Sequence, residues 1–156
     1  WVYYCCAQSS LVPNRFFAME SARNRIMGVL MYLYGIKGFL HWGYNFYNSK
    51  FSLHPVDPYR VTHADYAFPS GDPFLVYPGP DGAPLSSVRA EVQDDALLDL
   101  RALQLLEQLA GRAFVEELIY ADAEMRPMTF RDYPRGAGYL LALRERVAAE
   151  IESRLA

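Results

Sequence analysis

Residues 1–6 read WVYYCC and residues 37–42 read KGFLHW, and a helical pattern lies between these two segments. WVYYCC is aromatic or apolar at every position, as expected of a strand that is buried on both faces. From Asn14 to Tyr34, apolar residues recur at three- and four-residue steps, which predicts an amphipathic helix that ends at Gly35. The order strand, helix, strand predicts two neighbouring parallel strands.

The chain continues with a long loop and a third predicted strand. Tyr44–Pro73 is aromatic, rich in proline and without a regular period, which is typical of a functional loop. Phe74–Tyr77 (FLVY) is the predicted strand, and the turn Pro78–Gly82 ends it.

Three further helices are predicted. Ser86 or Ser87 can cap the first, which continues to about Ala110. A short helix follows over Arg112–Tyr120, and Pro134 opens the last one. Apolar stripes along the first and last helices predict the core positions Val88, Val92, Ala96, Leu100, Leu103 and Leu106, followed by Leu140, Leu143, Val147, Ile151 and Leu155.

Buried strands that alternate with amphipathic helices predict an α/β fold with a parallel sheet. A complete eight-stranded (β/α)8 barrel needs about 250 residues, whereas this chain has 156. The chain also opens inside a predicted strand. We therefore expect the C-terminal part of a TIM-like (β/α)8 barrel, about three strands and their helices, over residues 1–110. Residues 111–156 are expected to form a helical extension that packs on the barrel.

Composition excludes several classes of protein. The net charge is −3, which argues against a nucleic-acid partner. No apolar run approaches the roughly 20 residues of a membrane span, so we expect a soluble chain with no membrane partner. The only cysteines, Cys5 and Cys6, are neighbours and do not form a disulfide framework. Localisation is left open, because any signal peptide would precede this chain.

The strand end within Gly38–Tyr47 (GFLHWGYNFY) carries the first candidate site residues. In a barrel, the end of a strand faces the active site. The Trp42 indole can stack on the apolar face of a sugar, while the Tyr44 hydroxyl and the Asn45 amide can bond sugar hydroxyls. A core tryptophan with loop aromatics explains the same pattern and is the simpler interpretation of the residues alone.

Gly71–Gly79 (GDPFLVYPG) supplies two more candidates. Asp72 enters the third predicted strand and can bond a sugar hydroxyl, and Tyr77 leaves the strand and can do the same or pack. Ordinary turn chemistry at both ends of the strand is the alternative.

Together these blocks resemble the catalytic domain of glycoside hydrolase family 123, also known as domain of unknown function 4091. The matching blocks are WVYYCC, Pro13–Phe17 with Ala22–Arg23, GFLHWGYNFY, GDPFLVYPG and SSVR leading into Leu100–Leu103. The resemblance covers roughly residues 1–110, and the order of the blocks is more specific than any one of them. It departs from the family at Gln93–Asp95, where relatives carry an Arg-Asp-Gly-type segment.

The resemblance implies hydrolysis of β-linked N-acetylgalactosamine, in which the acetamido group of the substrate attacks the anomeric carbon. An Asp–Glu pair shares the work: the Asp orients the acetamido group and the Glu is the general acid/base. No Asp-Glu dipeptide occurs in this chain, and Asp94–Asp95 and Glu116–Glu117 are only approximations on predicted helices. We therefore assign no catalytic residue, expect the chain alone to be inactive, and expect a missing N-terminal barrel half as a partner.

Two hypotheses follow. The first is a glycosidase fragment that contributes Trp42, Tyr44, Asn45, Asp72 and Tyr77 to a pocket for an N-acetylhexosamine-containing glycan. The alternative is a non-catalytic carbohydrate-binding or interaction module on a degenerate barrel.

No cofactor is expected. The loop carries His54, Asp57, His63, Asp65 and Asp72, but their spacing fits no tight metal motif, so no metal is predicted. Neither Cys5 nor Ser9 belongs to a nucleophile motif.

Overall fold

A computed structural model describes the backbone of all 156 residues and every side chain except those of Ser9 and Ser10. The Ser9 side chain considered above therefore lies outside the described residues. The regular elements are, in chain order, β1 (Val2–Tyr3), a 3₁₀ helix (Cys6–Leu11), α1 (Ser21–Arg25), α2 (Met27–Leu33), β2 (Phe39–Leu40), a 3₁₀ turn (Lys50–Ser52), β3 (Val76–Pro78), β4 (Pro84–Ser86), α3 (Val88–Ala110), α4 (Arg112–Tyr120) and α5 (Ala137–Leu155).

The predicted parallel pairing of the first two strands is confirmed. β1 and β2 lie side by side in parallel, with Val2 opposite Phe39 and Tyr3 opposite Leu40. Each strand is only two residues long, because the chain bends into the 3₁₀ helix after Cys5. The two short helices α1 and α2 form the connection between these strands.

The third strand differs from the prediction. It spans Val76–Pro78 rather than Phe74–Tyr77, and it pairs antiparallel with β4 in a separate two-stranded sheet. The turn that joins the two strands explains the pairing: the Gly79 N–H donates to the Ala83 carbonyl over 2.8 Å, and Gly82 adopts φ +82°. The described residues therefore contain two small sheets and no closed barrel.

The single helix predicted over Asn14–Tyr34 is also wrong in its first third. Residues 14–20 are irregular, and α1 and α2 meet at a kink at Ile26. Asn14 instead donates its side-chain amide to the Cys5 carbonyl over 3.0 Å, which holds the segment beneath β1. The predicted stop is confirmed: Gly35 has φ +61°, the left-handed conformation that closes many helices.

The three later helices are confirmed, although α5 begins at Ala137 rather than at the predicted Pro134. Ser87 caps α3 by accepting the Ala90 N–H over 3.3 Å, and Gly111 follows its last residue with φ +84°. The buried part of each stripe joins one core with α2, made of Ile26, Met27, Leu30, Ala96, Leu103, Leu106, Val115, Ile119, Leu140, Leu143 and Val147. Val88 and Leu155, at the outer ends of the two stripes, are exposed instead.

Packing in this core is closest between α2 and α3. A Cβ atom on Gly28 would lie 1.9 Å from the Ala96 carbonyl oxygen, so only glycine permits this crossing. An ion cluster ties the helices together nearby, because Asp99 on α3 accepts hydrogen bonds from Arg25 on α1 and Arg144 on α5. The boundary predicted at residue 110 stays a prediction.

One face of the β1–β2 sheet carries large apolar side chains that nothing in the structure covers. Trp1, Tyr3 and Leu40 expose 89%, 46% and 55% of their surface. The opposite face is covered: Tyr4 is buried and its ring packs on Phe39 with 4.7 Å between centroids. Among the described residues, no helix combines the length and the apolar character needed to cross a bilayer.

Candidate functional site

The indole of Trp42 is fixed just beyond the end of β2. Its Nε1–H donates to the Asp72 Oδ2 over 3.0 Å. Its ring packs against Phe68 and Phe46, with centroid separations of 4.8 and 5.3 Å. The side chain is half-buried, so part of the ring is open to solvent. Trp42 is therefore an oriented aromatic platform rather than a residue sealed in the core.

Gly43 makes this arrangement possible. A Cβ atom at this position would lie 2.2 Å from the Asp72 carbonyl oxygen, so any side chain would push the two segments apart. Backbone hydrogen bonds then join the segments in antiparallel fashion: the Phe46 N–H donates to the Pro73 carbonyl and the Leu75 N–H to the Tyr44 carbonyl. The two halves of the site are thus connected by main chain as well as by the indole.

Beneath the platform lies a group of buried charges. Asp72 is fully buried and Arg15 is 1% exposed. The Arg15 guanidinium lies over the Phe39 ring, 4.7 Å from its centroid, and over the Tyr4 ring at 5.7 Å. Burial lowers the pKa of Arg15, while electrostatic attraction to Tyr4 and Asp72 opposes the shift. The Asp72 carboxylate therefore accepts a hydrogen bond from the indole N–H and interacts electrostatically with the buried Arg15 guanidinium.

His41 completes the support from below. Burial, followed by the positive charge of Arg15, lowers the pKa of His41 to about 3. The ring is therefore neutral at physiological pH, and its Nε2 lies 3.0 Å from the Asp72 carbonyl oxygen. A neutral imidazole protonated at Nε2 donates that hydrogen bond. His41 thus holds the backbone of Asp72, and Trp42 holds its side chain.

The other predicted site residues lie around this platform. Tyr44 is 53% exposed, and Asn45 is exposed beside it and forms an antiparallel bridge with Phe74. The sequence predicts that Asp72 bonds a sugar hydroxyl. In the structure, Asp72 Oδ2 accepts the Trp42 indole N–H, and Oδ1 has no hydrogen-bond partner among the described residues.

Tyr77 lies on the far side of Phe74, with 5.1 Å between ring centroids, and lines a separate open pocket of about 370 Å³ with Phe17 and Arg89. The structure therefore brings Trp42 and Asp72 together, with Tyr44 and Asn45 exposed just after Trp42 in the chain, whereas Tyr77 lines a separate pocket.

Several residues of the site were not predicted. Gly43 had a usable signal, since a glycine inside a strand pattern often marks close backbone approach. Phe46 and Phe68 belong to the loop whose aromatic composition the sequence shows, but the sequence does not indicate which rings they contact. Arg15 lies in the Pro13–Phe17 block that carries the resemblance, but nothing in that block shows that the arginine will be buried over two aromatic rings.

The alternative chemistries find no geometric support. His54 Nε2 lies 3.5 Å from Asp65 Oδ2, but in the described part of the chain no three His, Cys, Asp or Glu side chains converge on a metal position. Burial, followed by a hydrogen bond with Asp72, raises the pKa of Cys6 to about 12. A thiol that stays protonated is a poor nucleophile.

The ion pairs of the two acidic dipeptides do not involve the Trp42 site. Asp95 on α3 has 47% of its side chain exposed and lies 3.9 Å from Arg25 and from Arg144. Glu117 on α4 is exposed and pairs with Arg126 over 2.8 Å. Both dipeptides thus lie on helix surfaces, as solvated or ion-paired carboxylates.

Comparison with known proteins gives one clear result. Residues 1–106 match the family model described as "Glycoside hydrolase 123, catalytic domain". A comparison with curated proteins finds no match. The family match includes all of the Trp42–Asp72 site and ends within α3. The chain therefore belongs to glycoside hydrolase family 123.

Proposed function

We propose that this chain forms one wall of a sugar-binding cleft, with Trp42 as the platform for a terminal N-acetylhexosamine. The observation that carries the proposal is the fixed orientation of a partly open indole through Asp72. Aromatic faces stack on the apolar faces of sugars, and a ring that is already oriented loses little freedom on binding. Tyr44 and Asn45, exposed just after Trp42 in the chain, supply a hydroxyl and an amide for sugar hydroxyls.

Asp72 acts in this proposal as a positioning residue. It is fully buried, so its carboxylate orients the indole rather than touching the sugar in the conformation described. The buried Arg15 guanidinium interacts electrostatically with this carboxylate, and His41 holds the Asp72 backbone through its carbonyl.

The reaction that we propose for the complete enzyme is retaining hydrolysis of terminal β-linked N-acetylgalactosamine. The substrate's acetamido oxygen attacks the anomeric carbon, and an acid protonates the leaving oxygen. The resemblance assigns these tasks to an Asp–Glu pair, and no Asp-Glu dipeptide occurs in this chain. We therefore propose that this chain supplies binding residues, that another part of the enzyme supplies the pair, and that the chain alone does not turn over substrate.

We further propose that the chain is the C-terminal part of a (β/α)8 barrel. The uncovered sheet face supports this, since Tyr3 and Leu40 are opposite each other in register and both exposed. In a barrel, inward-facing side chains of this kind pack against those of the other strands. The remaining strands of the barrel would then be a protein partner of this chain. A compact monomer that unfolds cooperatively and binds no such partner would contradict this part of the proposal.

The test of the sugar site uses the two tryptophans of the chain. In the Trp1→Phe variant, Trp42 is the only indole, so its fluorescence reports its own environment. We expect the methyl β-glycoside of N-acetylgalactosamine to shift this emission saturably, and we expect glucose to have no effect. In the chain that retains Trp1, Trp42→Ala should weaken binding by about tenfold or more.

Trp1→Phe is the matched control and should leave the affinity unchanged. A Trp42→Ala chain that stays folded and keeps the same affinity would refute the platform. An assay with an aryl β-N-acetylgalactosaminide should show no turnover by this chain alone.

The second candidate function is a non-catalytic carbohydrate-binding module. The missing Asp–Glu pair is the observation that favours it. The two functions differ in the complete protein: sugar binding without turnover of the aryl glycoside supports the module, and turnover supports the glycosidase.

A further inference from the structure

All backbone strain at non-glycine residues falls in the loop that leaves and rejoins the Trp42 site. Positive φ angles occur at Phe51, Ser52, Ala64, Asp65 and Tyr66, with values from 47° to 63°. Residues other than glycine rarely adopt this backbone conformation, and it persists only where surrounding contacts enforce it. Two short turns therefore store the strain, and both belong to the long loop predicted to be functional.

The first turn closes a short antiparallel pairing of the chain and carries an exposed aromatic ring at its tip. Asn48 bridges Pro55, and the Ser49 N–H donates to the His54 carbonyl over 2.9 Å. At its tip, Phe51 is 81% exposed, and the Lys50 ammonium lies 5.1 Å from the centroid of its ring. This geometry presents Phe51 to solvent, although an apolar side chain gains nothing from exposure.

The second turn presents Tyr66 in the same way. Three consecutive left-handed residues carry the chain from His63 to Ala67, whose N–H donates back to the His63 carbonyl over 3.0 Å. The Tyr66 N–H donates to His63 Nδ1 over 2.7 Å, and the two rings stack 4.2 Å apart. Tyr66 is nevertheless 89% exposed, while Ala64 in the same turn is buried. The turn is anchored on one side and displays its ring on the other.

The two turns are connected to each other and to the platform. His54 in the first turn and Asp65 in the second lie 3.5 Å apart. The Phe68 N–H, just after the second turn, donates to the His63 carbonyl, and the Phe68 ring packs 4.8 Å from Trp42. The exposed rings therefore belong to the same loop structure that supports the indole.

We propose that Phe51 and Tyr66 form a second, outer glycan-binding surface, which stacks on the sugars that follow the terminal residue of the substrate. This inference rests on the proposed function, and it specifies an oligosaccharide rather than a single sugar as the ligand. Flat rings flanked by polar groups suit pyranose rings, whose faces are apolar and whose edges carry hydroxyls. The same loop carries Phe68, whose ring packs on Trp42, and in this proposal one glycan chain contacts both surfaces.

The experiment compares two probes: the methyl β-glycoside of N-acetylgalactosamine and a linear trisaccharide that ends in the same β-linked sugar. We expect the chain to bind the trisaccharide about tenfold more tightly, a gain of the size that ring stacking provides. Tyr66→Gly should remove most of this gain and leave the affinity for the monosaccharide unchanged. Tyr66→Phe, which keeps the ring, should retain the gain.

The stability of the same variant separates binding from structure. Tyr66→Gly relieves a left-handed residue, so it should raise the melting temperature while it weakens trisaccharide binding. Phe114→Ala, which removes an aromatic ring from α4, serves as the control and should not alter the difference between the probes.

The outcomes distinguish the inference from the proposed function. Equal affinity for both probes, or an unchanged gain in Tyr66→Gly, overturns the outer surface and leaves the sugar platform intact. A Tyr66-dependent affinity for the trisaccharide without any monosaccharide binding supports the outer surface and counts against the platform. Self-association that Tyr66→Gly abolishes, without glycan binding, overturns the inference in favour of a protein contact.

Discussion

The ion cluster at Asp99 offers a sharp test of how helices α1, α3 and α5 are held together. Asp99 has 9% of its side chain exposed and accepts three hydrogen bonds from arginines. Arg25 donates two of these, over 2.6 and 3.0 Å, and Arg144 donates the third over 2.8 Å. Asp99→Asn keeps the shape of the side chain but removes its charge and two acceptor directions.

The structure sets the expected magnitude. Arg25 has 13% of its side chain exposed, so the variant leaves it as a buried charge with a poor partner. Removing one partner of a buried ion pair costs about 3–5 kcal/mol. Arg144 has 44% of its side chain exposed and remains hydrated, so its contribution is less than about 1 kcal/mol. We expect a loss of about 3 kcal/mol in the free energy of unfolding.

Urea unfolding followed by circular dichroism measures this loss. With a slope of about 2 kcal/mol per molar urea, the unfolding midpoint should fall by about 1.5 M. Asp95→Asn, one turn earlier on α3, is the matched control: its carboxylate is 47% exposed and 3.9 Å from either arginine, so its removal should cost less than about 0.5 kcal/mol. Equal effects of the two variants would refute the assignment of a buried ion cluster.

Two further predictions concern the platform itself. Gly43→Ala should abolish sugar-induced changes in Trp42 fluorescence, because its Cβ would lie 2.2 Å from the Asp72 carbonyl oxygen; unchanged titrations would show that the two segments separate freely. Because its pKa is lowered to about 3 in the folded protein, His41 binds a proton less readily there than in the unfolded chain. The neutral ring therefore contributes its full stability above pH 6.5, and this contribution is lost as the pH falls towards 3. Between pH 7 and 4.5 the chain should therefore lose about 2 kcal/mol more than His41→Gln does, and parallel unfolding curves for the two proteins would contradict this.

The parts of the fold that the sequence predicted correctly depend on local physics. The helices α3, α4 and α5 have long apolar stripes and clear end signals, such as the Ser87 cap and Gly111. The parallel pairing of β1 and β2 followed from the order of elements. The wrong predictions fall where polar and turn contacts override the apolar pattern: the Asn14 side chain bonds the Cys5 carbonyl, and the turn at Gly82 pairs β3 with β4.

Some residues of the candidate site are likewise indicated by the sequence, whereas the roles of others appear only in the structure. The sequence nominates Trp42, Tyr44 and Asn45 because they follow a predicted strand, and their role in sugar binding stays a prediction. The role of Asp72 was not, because a carboxylate becomes a positioning group only when a buried cation and an indole meet it, and those partners are 57 and 30 positions away in the chain. The same limit applies to Tyr66, whose aromatic character was visible in the sequence but whose forced exposure appears only with its left-handed backbone. In the proposed function, sugar recognition depends on contacts that orient the Trp42 ring and that come from distant parts of the chain. Perturbing those contacts at Gly43, where a Cβ would lie 2.2 Å from the Asp72 carbonyl oxygen, tests this support while it leaves the ring in place.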